Sequence, residues 1–204
     1  MLPVETLMRT APVIPVLVVE NAAHAQAIAG ALVAGGLPVL EVTLRTAAAL
    51  DAIAEMKKVP GAVVGAGTVL NIQDLDCALA AGAEFIVSPG LTDNLGRAAI
   101  DAAIPFLPGV ANAGDMMRGL DMGLTHFKFF PAEANGGLPA LQSLIGPFGQ
   151  CKFCPTGGIR QDTAANWLAL DAVLCVGGSW LVGKGAPDPS AITAAAKSAS
   201  ALKQ

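Results

Sequence analysis

The sequence predicts an α/β chain folded as a (β/α)8 TIM barrel, a single domain over residues 1–204 with a short helix ahead of the first strand. Three observations lead there. Eight short apolar runs rich in β-formers alternate with helical stretches at intervals of roughly 20 to 28 residues, the size of a βα repeat. No linker or shift in composition breaks the series. No G-x-G-x-x-G follows the first run, which disfavours an open dinucleotide-binding sheet and favours the closed barrel.

Taken in order, Met1 to Thr10 form the leading helix and Val13 to Val19 the first strand, with Pro15 near its start. Asn21 is an N-cap for the Ala-rich helix that ends near Gly35-Gly36. Val39 to Thr43 is the second strand, and the helix Thr46 to Lys58 closes at Pro60-Gly61. Val63 to Gly67 is the third, and Asn71 caps a helix to Ala81. Phe85 to Ser88 is the fourth, ended by Pro89-Gly90, with a helix from Thr92 to Ala103. Pro105 to Leu107 is the fifth, before a helix from Asn112 to Met122. Thr125 to Phe130 is the sixth, before a helix from Leu138 to Ile145. Lys152 to Pro155 is the seventh, before a helix from Gln161 to Ala169. Val173 to Val176 is the eighth. A short segment near Trp180 and a helix from Pro189 to Leu202 close the chain.

Composition removes several function classes. The net charge is −4 with no basic cluster, so there is no electrostatic footprint for nucleic acid. No apolar run is long enough to span a bilayer, and the N-terminus lacks the basic and then apolar segments of a signal peptide. Cys151 and Cys154 have C-x-x-C spacing, but no second pair or nearby histidine completes a zinc site. Cys77, Cys151, Cys154 and Cys175 are expected as reduced, packed thiols in the cytoplasm. Of the two histidines, His24 is expected exposed on a helix and His126 packed, and no metal is expected.

The stretch that organises the chain is Thr125-His126-Phe127-Lys128-Phe129-Phe130-Pro131. Lys128 alone among seven lysines lies inside such an apolar run. Alternation puts His126, Lys128 and Phe130 on one face of the strand. Two readings fit the lysine. Its stem packs while its head reaches water, or it is a desolvated amine able to attack a carbonyl. On the second strand Val39, Glu41 and Thr43 share one face. Glu41 is either an ion-pair partner of Arg45 or Lys128, or a general acid/base. Arg45 caps a helix start, forms a surface pair, or grips a substrate carboxylate.

The remaining strand ends carry weaker signals. Gly65-Ala66-Gly67-Thr68 lets backbone approach a ligand and offers a hydroxyl, and a tight turn explains it equally. Ser88-Pro89-Gly90 reads as a plain turn. Gly157-Gly158 and Gly177-Gly178-Ser179 follow the last two strands, where barrels of this kind bind phosphate on backbone N–H groups, and tight βα turns are the other explanation.

Together these blocks resemble the bacterial 2-keto-3-deoxy-6-phosphogluconate (KDPG) aldolases and 4-hydroxy-2-oxoglutarate (KHG) aldolases. The matching residues are Glu41-Val42-Thr43-Leu44-Arg45-Thr46, Gly65-Ala66-Gly67-Thr68-Val69-Leu70, Ser88-Pro89-Gly90, Phe127-Lys128-Phe129-Phe130-Pro131-Ala132-Glu133, Cys154-Pro155-Thr156-Gly157-Gly158-Ile159 and Gly177-Gly178-Ser179-Trp180. The resemblance implies a class I aldolase, a cytoplasmic homotrimer of the Entner–Doudoroff pathway. It implies cleavage of KDPG to pyruvate and glyceraldehyde 3-phosphate, and of 4-hydroxy-2-oxoglutarate to pyruvate and glyoxylate. The family's Schiff-base lysine falls on Lys128 and its acid/base on Glu41. Its pyruvyl-carboxylate contacts fall on Arg45 and Thr68, and Pro89, Phe130 and Thr156 line the pocket. Its phosphate loops match Gly157, Gly158, Gly178 and Ser179. The covalent imine through Lys128 replaces any cofactor. Two other readings are a 2-dehydro-3-deoxy-6-phosphogalactonate aldolase and a non-catalytic barrel that binds phosphate or a keto acid.

Overall fold

The computed structural model describes residues 3–183 and 185–202. Strands and helices alternate along the chain. Helix α1 (Val4–Arg9) precedes β1 (Val13–Leu17). A 3₁₀ turn at Ala22–His24 leads into α2 (Ala25–Ala34). There follow β2 (Val39–Thr43), α3 (Ala49–Met56), β3 (Val63–Gly67) and α4 (Ile72–Ala80). Next come β4 (Ile86–Val87), α5 (Asp93–Asp101), β5 (Phe106–Leu107), β6 (Gly109–Val110) and α6 (Ala113–Asp121). The chain closes with β7 (His126–Phe129), α7 (Gly137–Ile145), β8 (Lys152–Phe153), α8 (Ala164–Leu168), β9 (Val176–Gly178) and α9 (Pro189–Ser200).

All strand pairs are parallel. Six strands pair in the order β5-β4-β3-β2-β1-β9 and three in the order β6-β7-β8. Pro108 divides β5 from β6; it has no N–H to give, but its carbonyl accepts from Lys128 N at 2.8 Å. Between β8 and β9 lie two isolated bridges, Phe153 with Val173 and Thr156 with Gly177. Parallel strands joined by helices bury both faces of the sheet. The larger apolar cluster lies between sheet and helices and contains Leu40, Val42, Phe127 and Phe129. The smaller one lies on the inner face and contains Ile14, Val39, Phe85, Leu107, Cys154 and Cys175. Leu7 and Met8 of α1 join this inner cluster at the N-terminal ends of the strands.

Several boundaries differ from the sequence expectation, each for a local reason. Strand β1 stops at Leu17 because threonine hydroxyls take the next carbonyls: Thr43 Oγ1 donates to Leu17 O and Thr46 Oγ1 to Val19 O. The helix expected from Thr46 begins at Ala49 for the same reason. The eighth strand lies at Val176–Gly178, not Val173–Val176, because pairing with β1 runs from Val13↔Val176 to Pro15↔Gly178. Helix α8 starts at Ala164, since Arg160 N bonds Thr163 Oγ1 and holds residues 160–163 in a turn. The short segment near Trp180 forms bends. Met1 and Leu2, placed in the leading helix from sequence, lie outside the described residues. His24 is half-buried in the 3₁₀ turn, and Cys77 is exposed, against expectation. No helix among the described residues is long and apolar enough to cross a membrane.

Candidate active site

Strand alternation delivers the two central side chains. Glu41 from β2 and Lys128 from β7 point to the same inner face, above the apolar cluster and towards the C-terminal strand ends. Lys128 Nζ donates to Glu41 Oε1 at 2.9 Å. The residues are only 5% and 3% exposed. This excludes the reading in which the lysine head reaches water, and it assigns Glu41 to Lys128 rather than to Arg45. A buried pair of this kind depends on close geometry, because each charge has lost its hydration. The Phe130 ring lies over the ammonium, 5.4 Å from Nζ, and shields it on one side.

Two glycines make room for the inner side chains. A Cβ on Gly67 would overlap Glu41 Oε1 and come within 2.6 Å of its Cγ. A Cβ on Gly65 would lie 2.5 Å from the Phe85 ring. From sequence these glycines fit either a close ligand approach or a tight turn; in the structure the space beside them is taken by Glu41 and Phe85.

Around this pair the other expected residues take distinct places. Thr156 is buried on the same inner face, bonded through its N–H to Phe129 O at 2.9 Å. Its Oγ1 would overlap a Cβ on Gly177, which is why only glycine fits there. Arg45 is exposed just beyond β2, and its Nε donates to Thr43 Oγ1 at 3.3 Å. Among the described residues its guanidinium has no carboxylate within salt-bridge distance, so a substrate anion could use it. Thr68 has a φ of 60°, a conformation costly for a β-branched residue and concentrated at functional sites. Pro89 follows β4, and its backbone carbonyl fills the space a Cβ on Gly109 would need. Ser88 Oγ donates to Gly90 O at 2.6 Å across a bend at Pro89-Gly90.

The two Gly-Gly segments are brought side by side by the Thr156↔Gly177 bridge and by Gly177 N donating to Pro155 O at 2.8 Å. Gly157 and Gly158 both have positive φ, 104° and 82°. Gly178 is buried against Trp180, while Ser179 is exposed. Ser179 lines a cavity of about 420 Å³ with Val16, Glu20, His24 and Ile28, one that Lys128 and Glu41 do not line.

Sequence reasoning missed Thr43, although alternation had put it on the Glu41 face. It is 2% exposed and anchors Arg45. Beneath the site, burial first, then the neighbouring Cys154 thiol, pushes the Cys175 thiol well above its usual range. At the opposite end of β7, His126 is half-buried, with Nδ1 3.1 Å from Thr125 Oγ1 and Nε2 3.7 Å from Glu5 Oε2. Among the described residues no cluster of three or more His, Cys, Asp and Glu forms a metal site.

Comparisons with known proteins converge on one family. A family model described as KDPG and KHG aldolase matches residues 4–195. An Escherichia coli K12 protein named KHG/KDPG aldolase is 57% identical over 179 residues, 87% of this chain and 84% of that protein. The crystal structure of the 2-keto-3-deoxy-6-phosphogluconate aldolase of Zymomonas mobilis ZM4 with 3-phosphoglycerate aligns with a TM-score of 0.97 at 61% identity. It covers 98% of this chain and 96% of the other. The KDPG aldolase of Legionella pneumophila, with pyruvate captured at low pH as a covalent carbinolamine, aligns with a TM-score of 0.94 at 44% identity. That alignment covers 98% of this chain and 99% of the other.

Proposed function

Because the chain belongs to the KDPG and KHG aldolase family, we propose that it cleaves 2-keto-3-deoxy-6-phosphogluconate through an imine formed on Lys128. It is a carbon–carbon lyase of the class I type. The products are pyruvate and glyceraldehyde 3-phosphate; 4-hydroxy-2-oxoglutarate, lacking the phosphate, gives pyruvate and glyoxylate. One observation carries the site assignment: a buried amine and a buried carboxylate in hydrogen-bond contact at 2.9 Å.

The chemistry follows from that contact. Lys128 passes a proton to Glu41 and its neutral Nζ adds to the C2 ketone of the substrate. Glu41 returns the proton to the departing hydroxyl, water leaves, and an iminium remains. Glu41 then takes the C4 hydroxyl proton while the C3–C4 bond breaks, and the bonding electrons move to the iminium as an enamine. The aldehyde departs. Glu41 gives that proton to C3 of the enamine, and one water hydrolyses the resulting iminium to pyruvate and the Lys128 ammonium. Arg45 and Thr68 bind the pyruvyl carboxylate; Pro89, Phe130 and Thr156 wall the pocket. Gly157, Gly158, Gly178 and Ser179 bind the phosphate through N–H groups and a hydroxyl.

The fold in this proposal is one (β/α)8 domain. Its support is the Pro108 carbonyl joining β5–β6 to β7 and the two bridges between β8 and β9. A cytoplasmic homotrimer without a cofactor is proposed on the family alone.

Borohydride reduction in the presence of pyruvate tests the site. The unmodified enzyme should gain the mass of a reduced pyruvyl adduct on Lys128. Lys128→Ala should lose both adduct and turnover. Glu41→Gln should still be trapped, but more slowly because the imine-forming proton also passes through Glu41, while kcat drops by about 10²- to 10⁴-fold, the usual contribution of a general acid/base. An unmodified enzyme that cannot be trapped, or a fast Lys128→Ala variant, would overturn the assignment.

A further inference from the structure

Glu133 is a carboxylate with no step to perform in the cleavage, standing beside a turn that should receive a phosphate. A negative charge there repels the substrate, so its presence needs a structural reason. Three contacts supply one. Trp167 Nε1 donates to Glu133 Oε1 at 3.2 Å. Trp167 is 1% exposed, and its indole has a single donor that is costly to bury unpaired. The stem of Glu133 occupies the space above Gly158. A Cβ on Gly158, whose φ is 82°, would lie 2.7 Å from Glu133 Cβ and 2.8 Å from its Cγ. Glu133 Oε2 faces the start of α7, where a Cβ on Gly137 would lie 3.5 Å away. The N-cap of that helix, Gly136, contributes no side-chain hydrogen bond. A carboxylate at the positive end of a helix is favourable.

The backbone reinforces the arrangement. Ala132 N donates to Thr156 O at 2.8 Å and Glu133 N to Gly157 O at 3.0 Å. The segment after β7 therefore lies along the Thr156–Gly158 turn, and the Glu133 side chain clamps that turn to Trp167 on α8. We infer that Glu133 is a positioning residue, which fixes the Gly157–Gly158 turn through Trp167 and thereby sets affinity for the phosphorylated end of the substrate. The inference rests on the phosphate site proposed above. Backbone donors held in place bind an anion without first ordering the loop.

The test compares Glu133→Ala, Glu133→Gln and Trp167→Phe on KDPG and on unphosphorylated 4-hydroxy-2-oxoglutarate, with pyruvate trapping on Lys128 run in parallel. Loss of one hydrogen bond to a charged group predicts that Glu133→Ala and Trp167→Phe each raise KM for KDPG about tenfold. Their kcat, their KM for the unphosphorylated substrate and their trapping on Lys128 should stay near normal. Glu133→Gln keeps an oxygen for the indole proton and should restore KM for KDPG. The double variant Glu133→Ala/Trp167→Phe should be no worse than Glu133→Ala alone. Equal KM changes on both substrates, or a Glu133→Gln variant as impaired as Glu133→Ala, would overturn the inference. If Glu133→Ala does not fold, Trp167→Phe still decides, because an unchanged KM for KDPG in that variant is equally fatal. Failure of the unmodified enzyme to trap pyruvate would be a different result, since it removes the Lys128 assignment itself.

Discussion

Lys128 and Glu41 lie 87 positions apart in the chain and touch at 2.9 Å. That contact depends on a side chain that is missing. Glu41 projects over Gly67, and any Cβ there collides with its carboxylate. Gly67→Ala should therefore leave Lys128 in place and push Glu41 aside. A misplacement of roughly 1 Å costs about 10²-fold in rate, so kcat should fall by that order. Pyruvate should still be trapped on Lys128. Near-normal turnover in Gly67→Ala would show that Glu41 need not sit where it does. Part of this was legible from residue alternation, which grouped Lys128 with His126 and Phe130 on one face of its strand and Glu41 with Val39 and Thr43 on one face of another; that both faces turn inward was not. The choice between Lys128 and Arg45 as partner of Glu41 was not legible, since it depends on which strands curl towards each other. The reason for Gly67 was not legible either, because the neighbour that needs its space comes from the adjacent strand. The β2–β3 register pairs Thr43 with Gly67 and sets Glu41 across from Gly65, and no local pattern in the sequence carries that information.

At the scale of elements, reciprocal caps fix two helix starts. Asn71 Oδ1 accepts from Asp74 N at 2.9 Å, and Asp74 Oδ2 accepts from Leu70 N at 2.9 Å. Asn112 Oδ1 accepts from Asp115 N at 3.1 Å, and Asp115 Oδ2 accepts from Ala111 N at 2.9 Å. Both are Asn-x-x-Asp versions of a capping box. Asn112→Ala should cost about 1 kcal/mol. For a chain of this length that lowers Tm by roughly 2–4 °C. Thermal melts check the shift, and kcat should not change because Asn112 touches no proposed catalytic group. A Tm equal to that of the unmodified protein would mean that α6 needs no cap at its start. Such caps are short-range signals, so the starts of α4 and α6 were readable from sequence. Strand β9 was not. Its ladder runs through Gly177 and Gly178, residues that carry no β-forming signature, while the apolar run Val173–Val176 just before it does. The start of α8 was missed for a similar reason, because the turn at residues 160–163 is closed by the Thr163 hydroxyl.

Across the whole molecule, the inner face has a chemical end and a sealed end. The same strand serves both, with Lys128 at one and His126 two residues before it at the other. Leu7 and Met8 of α1 cover the sealed end, and Glu5, Arg9 and Lys152 are the charged groups that face His126 there. Burial holds the His126 pKa below its ordinary value; the nearby Glu5 carboxylate opposes that shift, and Arg9 and Lys152 add to it. The unfolded chain therefore takes this proton first as pH falls. Above the ordinary histidine value of about 6.5 neither state is protonated and no stability is lost. As pH drops below it, the unfolded state is favoured progressively, until the folded state takes the proton as well. Glu5 acts in a separate, more acidic window. The Arg9 hydrogen bond lowers its pKa, so its contribution is present above the ordinary carboxylate value and disappears as pH falls through the lowered one. Urea melts at a series of pH values from about 7.5 to 5 should thus show stability declining on the acid side, and His126→Gln should flatten that decline. A His126→Gln variant that keeps the full slope would place the responsible proton elsewhere. Pyruvate trapping on Lys128 should be unaffected by this substitution at pH 7.5, because among the described residues the side-chain contacts of His126 are with Thr125 and Glu5 and not with Lys128 or Glu41.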